Sequence, residues 1–187
     1  MRIYLAGPEV FLEHPLAIGE AKRALCADHG LTGVYPLDNQ LDLAGLSPRD
    51  QGRAIYRANL ALIRSCDVMI ANITPFRGPS ADVGTAFEMG AMAALGRPVL
   101  AYSNSAQSFA RRVEAHFSGR VHRRADGMLA DSQGLAIEEF DMVDNLMLHG
   151  ALEEGELFLH AAAPGMEFTD LTAFEDCVRV AARMVGR

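Results

Sequence analysis

The stretch PSADVGTAFEMGAMAALGRPVL, residues 79–100, contains a helical pattern followed by a strand-like run. Between its turn-forming ends the helical pattern is small or apolar, except for Thr85 and Glu88. With 3.6 residues per turn, Glu88 shares a stripe with Gly84, Ala91, Met92 and Leu95. The pattern therefore predicts that this carboxylate lies on the packed side of a helix rather than in water.

Short apolar runs alternate with helical patterns on both sides of this stretch. The predicted strands are RIYLA (2–6), TGVYP (32–36), DVMIANI (67–73) and RPVLAYS (97–103). The other predicted helices cover residues 15–29, 48–66 and 107–117 and the amphipathic end of the chain, 168–185. Alternation of helices with apolar strands indicates a parallel α/β sheet. We expect a flavodoxin-like doubly wound sheet of about five strands, with helices on both faces.

Residues 118–141 interrupt the alternation. They are rich in Gly, Arg, Asp and Ser and show no clear period, which predicts an exposed loop or flap. No linker composition divides the chain, and 187 residues are enough for one hydrophobic core. We therefore expect a single domain over residues 1–187.

Composition excludes several classes of function. The net charge of −7 argues against binding of nucleic acid, because such binding needs a basic protein surface. No apolar run approaches about 18 residues, so neither export nor a membrane span is indicated. The three separated cysteines predict reduced thiols in a cytoplasmic protein. The six histidines lack metal-binding spacing, so we expect no metal and no cofactor.

Three predicted loops follow the strands and should meet at one edge of the sheet: AGPEVF, ITPFRGPSAD and the segment after the fourth strand. In doubly wound sheets, ligands bind outside the carboxyl ends of the strands. Neither of the first two loops has the spacing of a phosphate-binding loop. The site at this edge is therefore expected to hold something other than a nucleotide phosphate.

Two interpretations of Glu88 stay open on the residues alone. A buried carboxylate costs several kcal/mol unless it is paired or its pKa rises. It could form an ion pair with Arg77 or Arg97, or it could act on a glycosidic bond as nucleophile or general acid/base.

Three neighbouring candidates also have structural alternatives. Asp82 could serve as the N-cap of the helix, where the dipole favours an anion. Tyr4 could be a packed strand residue, and Asn59 a satisfied polar group in a core helix.

The motifs IYLAGPEVF, NLALIRSCDVMIANITPFRGPSADVGTAFEMG and DNLML resemble the nucleoside 2-deoxyribosyltransferase family, over roughly residues 2–148. The resemblance implies a retaining, two-step exchange of the base on a 2′-deoxynucleoside. It makes Glu88 the nucleophile, which would hold a covalent deoxyribosyl intermediate. It gives Tyr4 the role of orienting that carboxylate, and Asp82 the role of binding a sugar hydroxyl.

The resemblance extends to substrate binding and assembly. It assigns Asn59 to recognition of the base and Gly7, in the AGP loop, to substrate binding. Asn145 and Met147 match a segment that the family lends to a neighbouring subunit's site. The implied protein is a homo-oligomer, a dimer or a hexamer, acting on nucleosides and free nucleobases.

Two departures and three rival functions accompany the resemblance. Family members often end with an aromatic residue near the site, whereas this chain ends in ARMVGR, and the polar 118–141 segment is unusual. The rivals are hydrolysis of nucleosides, hydrolysis of (deoxy)nucleoside 5′-monophosphates, and non-catalytic binding of a nucleotide or flavin. Because Asp82 would repel a 5′-phosphate, an uncharged nucleoside is the preferred substrate.

Overall fold

The computed structural model describes residues 1–152 and 156–185 and contains a five-stranded parallel sheet with helices on both faces. The strands, in chain order, are β1 Arg2–Ala6, β2 Thr32–Val34, β3 Val68–Asn72, β4 Val99–Ser103, β5 His122–Arg123, β6 Leu129–Ala130 and β7 Leu157–Leu159. The sheet order is β2-β1-β3-β4-β7, every pair parallel. This order confirms the predicted flavodoxin-like class.

In the described residues, six α-helices accompany the strands: α1 Pro15–Asp28, α2 Pro48–Ser65, α3 Val83–Ala94, α4 Phe109–His116, α5 Leu146–His149 and α6 Thr172–Arg183. Helices α1 and α6 pack on one face of the sheet, and α2 and α3 pack on the other. The sequence predicted five of these helices, with ends that agree with the structure to within a few residues, and it did not predict α5. In the part of the chain that the structure describes, no helix is both long and apolar enough to cross a membrane.

Alternation along β1 decides which side chains reach each face. Ile3 and Leu5 enter the core beneath α1 and α6, whereas Tyr4 and Ala6 enter the core beneath α2 and α3. The buried tyrosine hydroxyl therefore points toward the same layer as helix α3.

Helix α3 begins at a side-chain cap. The Asp82 carboxylate accepts a hydrogen bond of 2.9 Å from the Thr85 backbone N–H, which satisfies one free donor of the first turn. This confirms the predicted N-cap. At the other end, Gly96 has φ +66°, a conformation that favours glycine and stops the helix.

Two sequence expectations are corrected by the structure. Most of the segment 118–141 is exposed, as predicted, but it is not only a loop, because β5 and β6 pair in an antiparallel hairpin within it and Ile137 is buried. The last strand of the sheet, β7, is absent from the predicted strands, because its three residues are too short to show a period.

A buried polar cluster fixes the loop that follows β1. The Glu9 carboxylate accepts hydrogen bonds from Asn72 at 2.9 Å and from Tyr102 at 2.8 Å, and it forms an ion pair with Lys22. Gly7 lies against this cluster, since a Cβ atom built there would be 2.0 Å from Glu9 Oε2 and 2.9 Å from Asn72 Cβ. Only glycine fits at this position.

We expect Gly7→Ala to lower the free energy of unfolding by about 1–3 kcal/mol, because the methyl group overpacks the Glu9 cluster. Denaturant unfolding monitored by circular dichroism measures this change. Gly52→Ala is the matched control, because nothing lies within 4 Å of a Cβ there. In the middle of helix α2 this control should be neutral or stabilising. Equal stability of Gly7→Ala and the wild type would contradict the close packing.

Candidate active site

Tyr4 and Glu88 meet in one short hydrogen bond. The Tyr4 hydroxyl donates to Glu88 Oε1 at 2.6 Å, joining strand β1 to helix α3 across 84 positions of sequence. Tyr4 is fully buried, whereas Glu88 is only partly buried. The carboxylate therefore has one oxygen held by a donor and a side that opens to a pocket.

The stripe predicted for helix α3 is correct for Met92, which is buried, and wrong for Gly84 and Leu95, which are exposed. Glu88 is partly buried and lies at the border between the buried and the exposed side of the helix. The reason is that helix α2 covers only part of α3 and leaves a recess beside Glu88.

The ion-pair interpretation of Glu88 is wrong. The Arg97 guanidinium donates to the backbone carbonyls of Arg64 and Cys66, at 2.8 and 2.5 Å, and ties the end of α2. The Arg77 guanidinium lies 4.6 Å from the centroid of the Phe76 ring and 5.1 Å from that of Phe11, and it forms no ion pair with Glu88. Glu88 is therefore a desolvated carboxylate held by a neutral hydroxyl.

Burial is the main cause of an altered titration at this position. It raises the pKa of Glu88 from 4.5 to about 7, the hydrogen bond from Tyr4 opposes the rise, and the Asp82 charge adds to it. The same burial and the neighbouring carboxylate raise the pKa of the Tyr4 hydroxyl well above its usual value. Tyr4 therefore stays protonated and remains a donor over the whole range in which Glu88 ionises.

A pocket of about 330 Å³ opens beside Glu88. Its lining residues come from helices α2 and α3: Tyr56, Asn59, Leu60, Ile63, Gly84, Phe87 and Glu88. The Tyr56 and Phe87 rings lie 6.0 Å apart at 56°, which gives the pocket an aromatic wall. A partly apolar recess with a few polar groups is typical of a small-molecule site.

Asn59, to which the family resemblance assigns recognition of the base, lines this pocket. Its Oδ1 accepts a hydrogen bond of 3.2 Å from the Asn39 side chain, which fixes the orientation of the amide. The pocket side of the Asn59 side chain therefore offers N–H donors to a ligand.

One carboxylate oxygen of Asp82 accepts hydrogen bonds that cap helix α3. This oxygen, Oδ2, accepts from the Thr85 backbone and, at 3.2 Å, from the Thr85 hydroxyl. The Asp82 charge is close enough to Glu88 to affect its pKa. The residue thus combines the structural role of an N-cap with a place near the Glu88 carboxylate.

Asn145 and Met147 do not line the Glu88 pocket of their own chain. They border an apolar groove of about 510 Å³ along the outer side of α3, where Phe87 also lies. Asn145 caps α5, donates to Glu138 at 2.7 Å and accepts from the Met147 N–H, while the Met147 side chain is 72% exposed. The structure likewise places Gly7 in the Glu9 cluster and not among the residues that line the pocket.

The aromatic and aliphatic walls of the pocket were not predicted from the sequence. The pocket-lining residues of α2 lie three or four positions apart, on the same helix face as Asn59: Tyr56, Leu60 and Ile63. This spacing around Asn59 could have predicted the pocket wall. Within residues 1–152 and 156–185, no group of three His, Cys, Asp or Glu side chains is arranged to hold a metal ion. The chemistry that this arrangement offers is attack or proton transfer by a positioned carboxylate.

We expect Glu88→Gln to stabilise the protein at pH 8 more than at pH 5. Since the pKa of Glu88 is raised in the folded state, its protonated form is favoured there, and this contribution is lost as the pH rises through about 7. Glutamine mimics the neutral form at every pH. Thermal unfolding of both proteins from pH 5 to pH 8 measures the difference in Tm. The exposed Glu20→Gln is the control and should show no such trend; a pH-independent difference for Glu88→Gln would contradict the raised pKa.

Comparison with known proteins identifies a family and relatives that match most of the chain. A family model described as nucleoside 2-deoxyribosyltransferase matches residues 3–147. The solved structure of a 2-desoxiribosyltransferase from Leishmania mexicana is 30% identical, with a TM-score of 0.64, and the match covers 95% of this chain and 97% of that chain.

Two further relatives have descriptions that name no activity. An uncharacterised protein of Schizosaccharomyces pombe is 26% identical over 193 residues, covering 97% of this chain and 89% of its own length. A conserved protein from Enterococcus faecalis, 20% identical with a TM-score of 0.50, covers 87% of this chain and 91% of its own and shares the fold.

Proposed function

The chain belongs to the nucleoside 2-deoxyribosyltransferase family, and on that premise we propose that it exchanges the base of 2′-deoxyribonucleosides through a covalent ester on Glu88. The observation that supports this most directly is the partly buried Glu88, fixed by the Tyr4 hydroxyl at 2.6 Å on the wall of a pocket. A desolvated carboxylate without a cationic partner is suited to attack an electron-poor carbon.

The proposed reaction has two displacements. In the first, the free oxygen of Glu88 bonds to C1′ of the deoxyribose, and the electron pair of the broken N-glycosidic bond leaves with the base, which takes up a proton. In the second, a nitrogen of the incoming base bonds to C1′ and that base loses a proton, while the ester bond between C1′ and Glu88 breaks and its electron pair returns to the carboxylate. Splitting one displacement into two lowers each barrier, and the anionic groups stabilise the oxocarbenium-like transition states.

Tyr4 and Asp82 have different proposed tasks. Tyr4 holds Glu88 Oε1 and thereby directs Oε2 toward the pocket. Asp82 has the acceptor capacity to bind a hydroxyl of the sugar in addition to capping α3. Its negative charge beside Glu88 disfavours a substrate that bears a 5′-phosphate. This supports an uncharged nucleoside over a nucleoside monophosphate.

The base is proposed to lie in the pocket between α2 and α3. Tyr56 and Phe87 offer aromatic surface for stacking, and Asn59 offers an oriented amide for hydrogen bonding to the base edge. Gly7 is proposed to act indirectly, by allowing the Glu9 cluster to hold the loop at the edge of the sheet.

Asn145 and Met147 are proposed to serve the site of a neighbouring subunit. Met147 is exposed, and the apolar groove beside it reaches Phe87, which also lines the Glu88 pocket. A second copy on this surface would bring its own Asn145 toward the pocket. The proposed protein is accordingly a homo-oligomer with composite sites.

Incubation with 2′-deoxyinosine, with and without adenine, tests the exchange. We expect free hypoxanthine and new 2′-deoxyadenosine, followed by chromatography, in the reaction that contains adenine. Glu88→Ala and Glu88→Gln should abolish turnover, whereas Glu20→Gln, on the exposed face of α1, should not change it. Hypoxanthine without 2′-deoxyadenosine would make the protein a hydrolase, and ligand binding without reaction would make it a binding module; either result would contradict transfer.

Mixed oligomers test the composite site. Co-expression of Glu88→Ala and Asn145→Ala chains, purified through two different tags, should give hetero-oligomers that regain activity absent from either variant alone. The reason is that one site then combines an intact Glu88 with the partner's intact asparagine. Failure of these hetero-oligomers to regain activity, with both single variants inactive, would show that Asn145 acts within its own chain.

A further inference from the structure

A buried ion pair joins helix α4 to the segment after the hairpin. Arg112 and Asp144 are 6% and 1% exposed, and Arg112 Nη2 lies 3.1 Å from Asp144 Oδ2. Neither residue lines the pocket of Glu88. Asp144 begins the DNLML motif, but no sequence pattern pairs it with Arg112, which lies 32 positions away on the other side of the polar 118–141 segment.

The pair binds the loop that leads into Asp82. Arg112 Nε donates to the Pro79 carbonyl at 2.7 Å, and Asp144 Oδ2 accepts from the Ala81 N–H at 2.9 Å. The Ser80 hydroxyl donates to Asp144 Oδ1. Three successive residues before Asp82 are therefore held by one ion pair.

The same pair binds the segment that presents Asn145 and Met147. Arg112 Nη2 donates to the Val143 carbonyl, and Asp144 Oδ1 accepts from the Asn145 N–H at 2.8 Å. Arg112 Nη1 also donates to the Gln107 carbonyl at 2.9 Å, which anchors the guanidinium to the start of α4. One buried pair thus connects the two segments with site residues, through donors and acceptors on both.

We propose that Arg112 and Asp144 are positioning residues for base exchange, fixing the Asp82 loop and the Asn145 segment relative to each other. This inference rests on the proposed function. It adds that each chain links its own site, through Asp82, to the site that it completes in its neighbour, through Asn145. Neither residue touches substrate; their effect is exerted through geometry, where displacements of about 1 Å can cost 100-fold in rate.

The planar guanidinium suits this task better than an ammonium group would. Its donors reach Pro79, Gln107 and Val143 in fixed directions, in addition to Asp144. A buried ion pair contributes little net stability compared with an apolar pair of similar volume, although breaking it on one side is costly. Stability and positioning can therefore be separated by mutation.

The test compares Asp144→Asn with the double variant Arg112→Met/Asp144→Asn. Asp144→Asn should lower both Tm and kcat/KM, the latter by about 100-fold and mostly through kcat, because the pocket walls on α2 and α3 are unchanged. The double variant removes the unpaired buried charge and should regain Tm without regaining kcat/KM. Glu114→Gln, which breaks the exposed Arg111–Glu114 pair on the same helix, should match the wild type.

The outcomes separate this inference from the proposed function. Recovery of kcat/KM together with Tm in the double variant, or wild-type kcat/KM in folded Asp144→Asn, would overturn the positioning role and leave base exchange intact. An inactive wild type would overturn both. A double variant whose Tm recovers while its kcat/KM stays low supports the positioning role of the pair.

Hetero-oligomers provide a second measurement. Asp144→Asn chains co-expressed with Glu88→Ala chains should stay poorly active, because the only site with an intact Glu88 also has the disturbed Asp82 loop. If Asp144→Asn disturbed only the Asn145 segment, these hetero-oligomers would regain activity, as is expected for the hetero-oligomers of Asn145→Ala and Glu88→Ala chains. Recovery would therefore contradict the link between the two segments.

Discussion

The hydrogen bond between Tyr4 and Glu88 is the contact on which the proposed chemistry depends. It joins strand β1 to helix α3, which follows strand β3 in the chain. The two residues can meet because β1 and β3 are parallel neighbours in the sheet. Alternation along β1 sends the Tyr4 hydroxyl toward α3, and the Asp82 cap fixes where α3 begins. Without these constraints the Glu88 carboxylate would be desolvated with nothing to orient it.

Opposing electrostatic demands meet around this bond. Burial and the Asp82 charge favour protonated Glu88, whereas the Tyr4 donor favours the ionised form, and the balance gives a pKa of about 7. A carboxylate poised there is more basic than an ordinary glutamate and still ionised in a useful fraction near neutrality. Glu88 has no arginine partner among the residues that the structure describes, and this suits the proposed role, because a paired carboxylate would be a weaker nucleophile.

Most of the sheet could be predicted from the sequence, because β1, β3 and β4 are continuous apolar runs between clear helix signals. Strand β7 and the hairpin could not, since two or three residues have no measurable period. Family resemblance located Tyr4, Asp82 and Glu88, and the structure brings them together. The walls of the pocket and the Arg112–Asp144 pair depend on which helix faces meet, which a single sequence does not specify.

Direct detection of the ester on Glu88 tests the central claim. The wild-type protein is incubated with a 2′-deoxynucleoside without acceptor base, quenched in acid, digested and mapped by mass spectrometry. We predict a burst of free base in proportion to the amount of enzyme and a deoxyribosyl group on the α3 peptide at Glu88, absent from Glu88→Gln. Release of base without a burst, together with an unmodified α3 peptide, would contradict covalent catalysis by this residue.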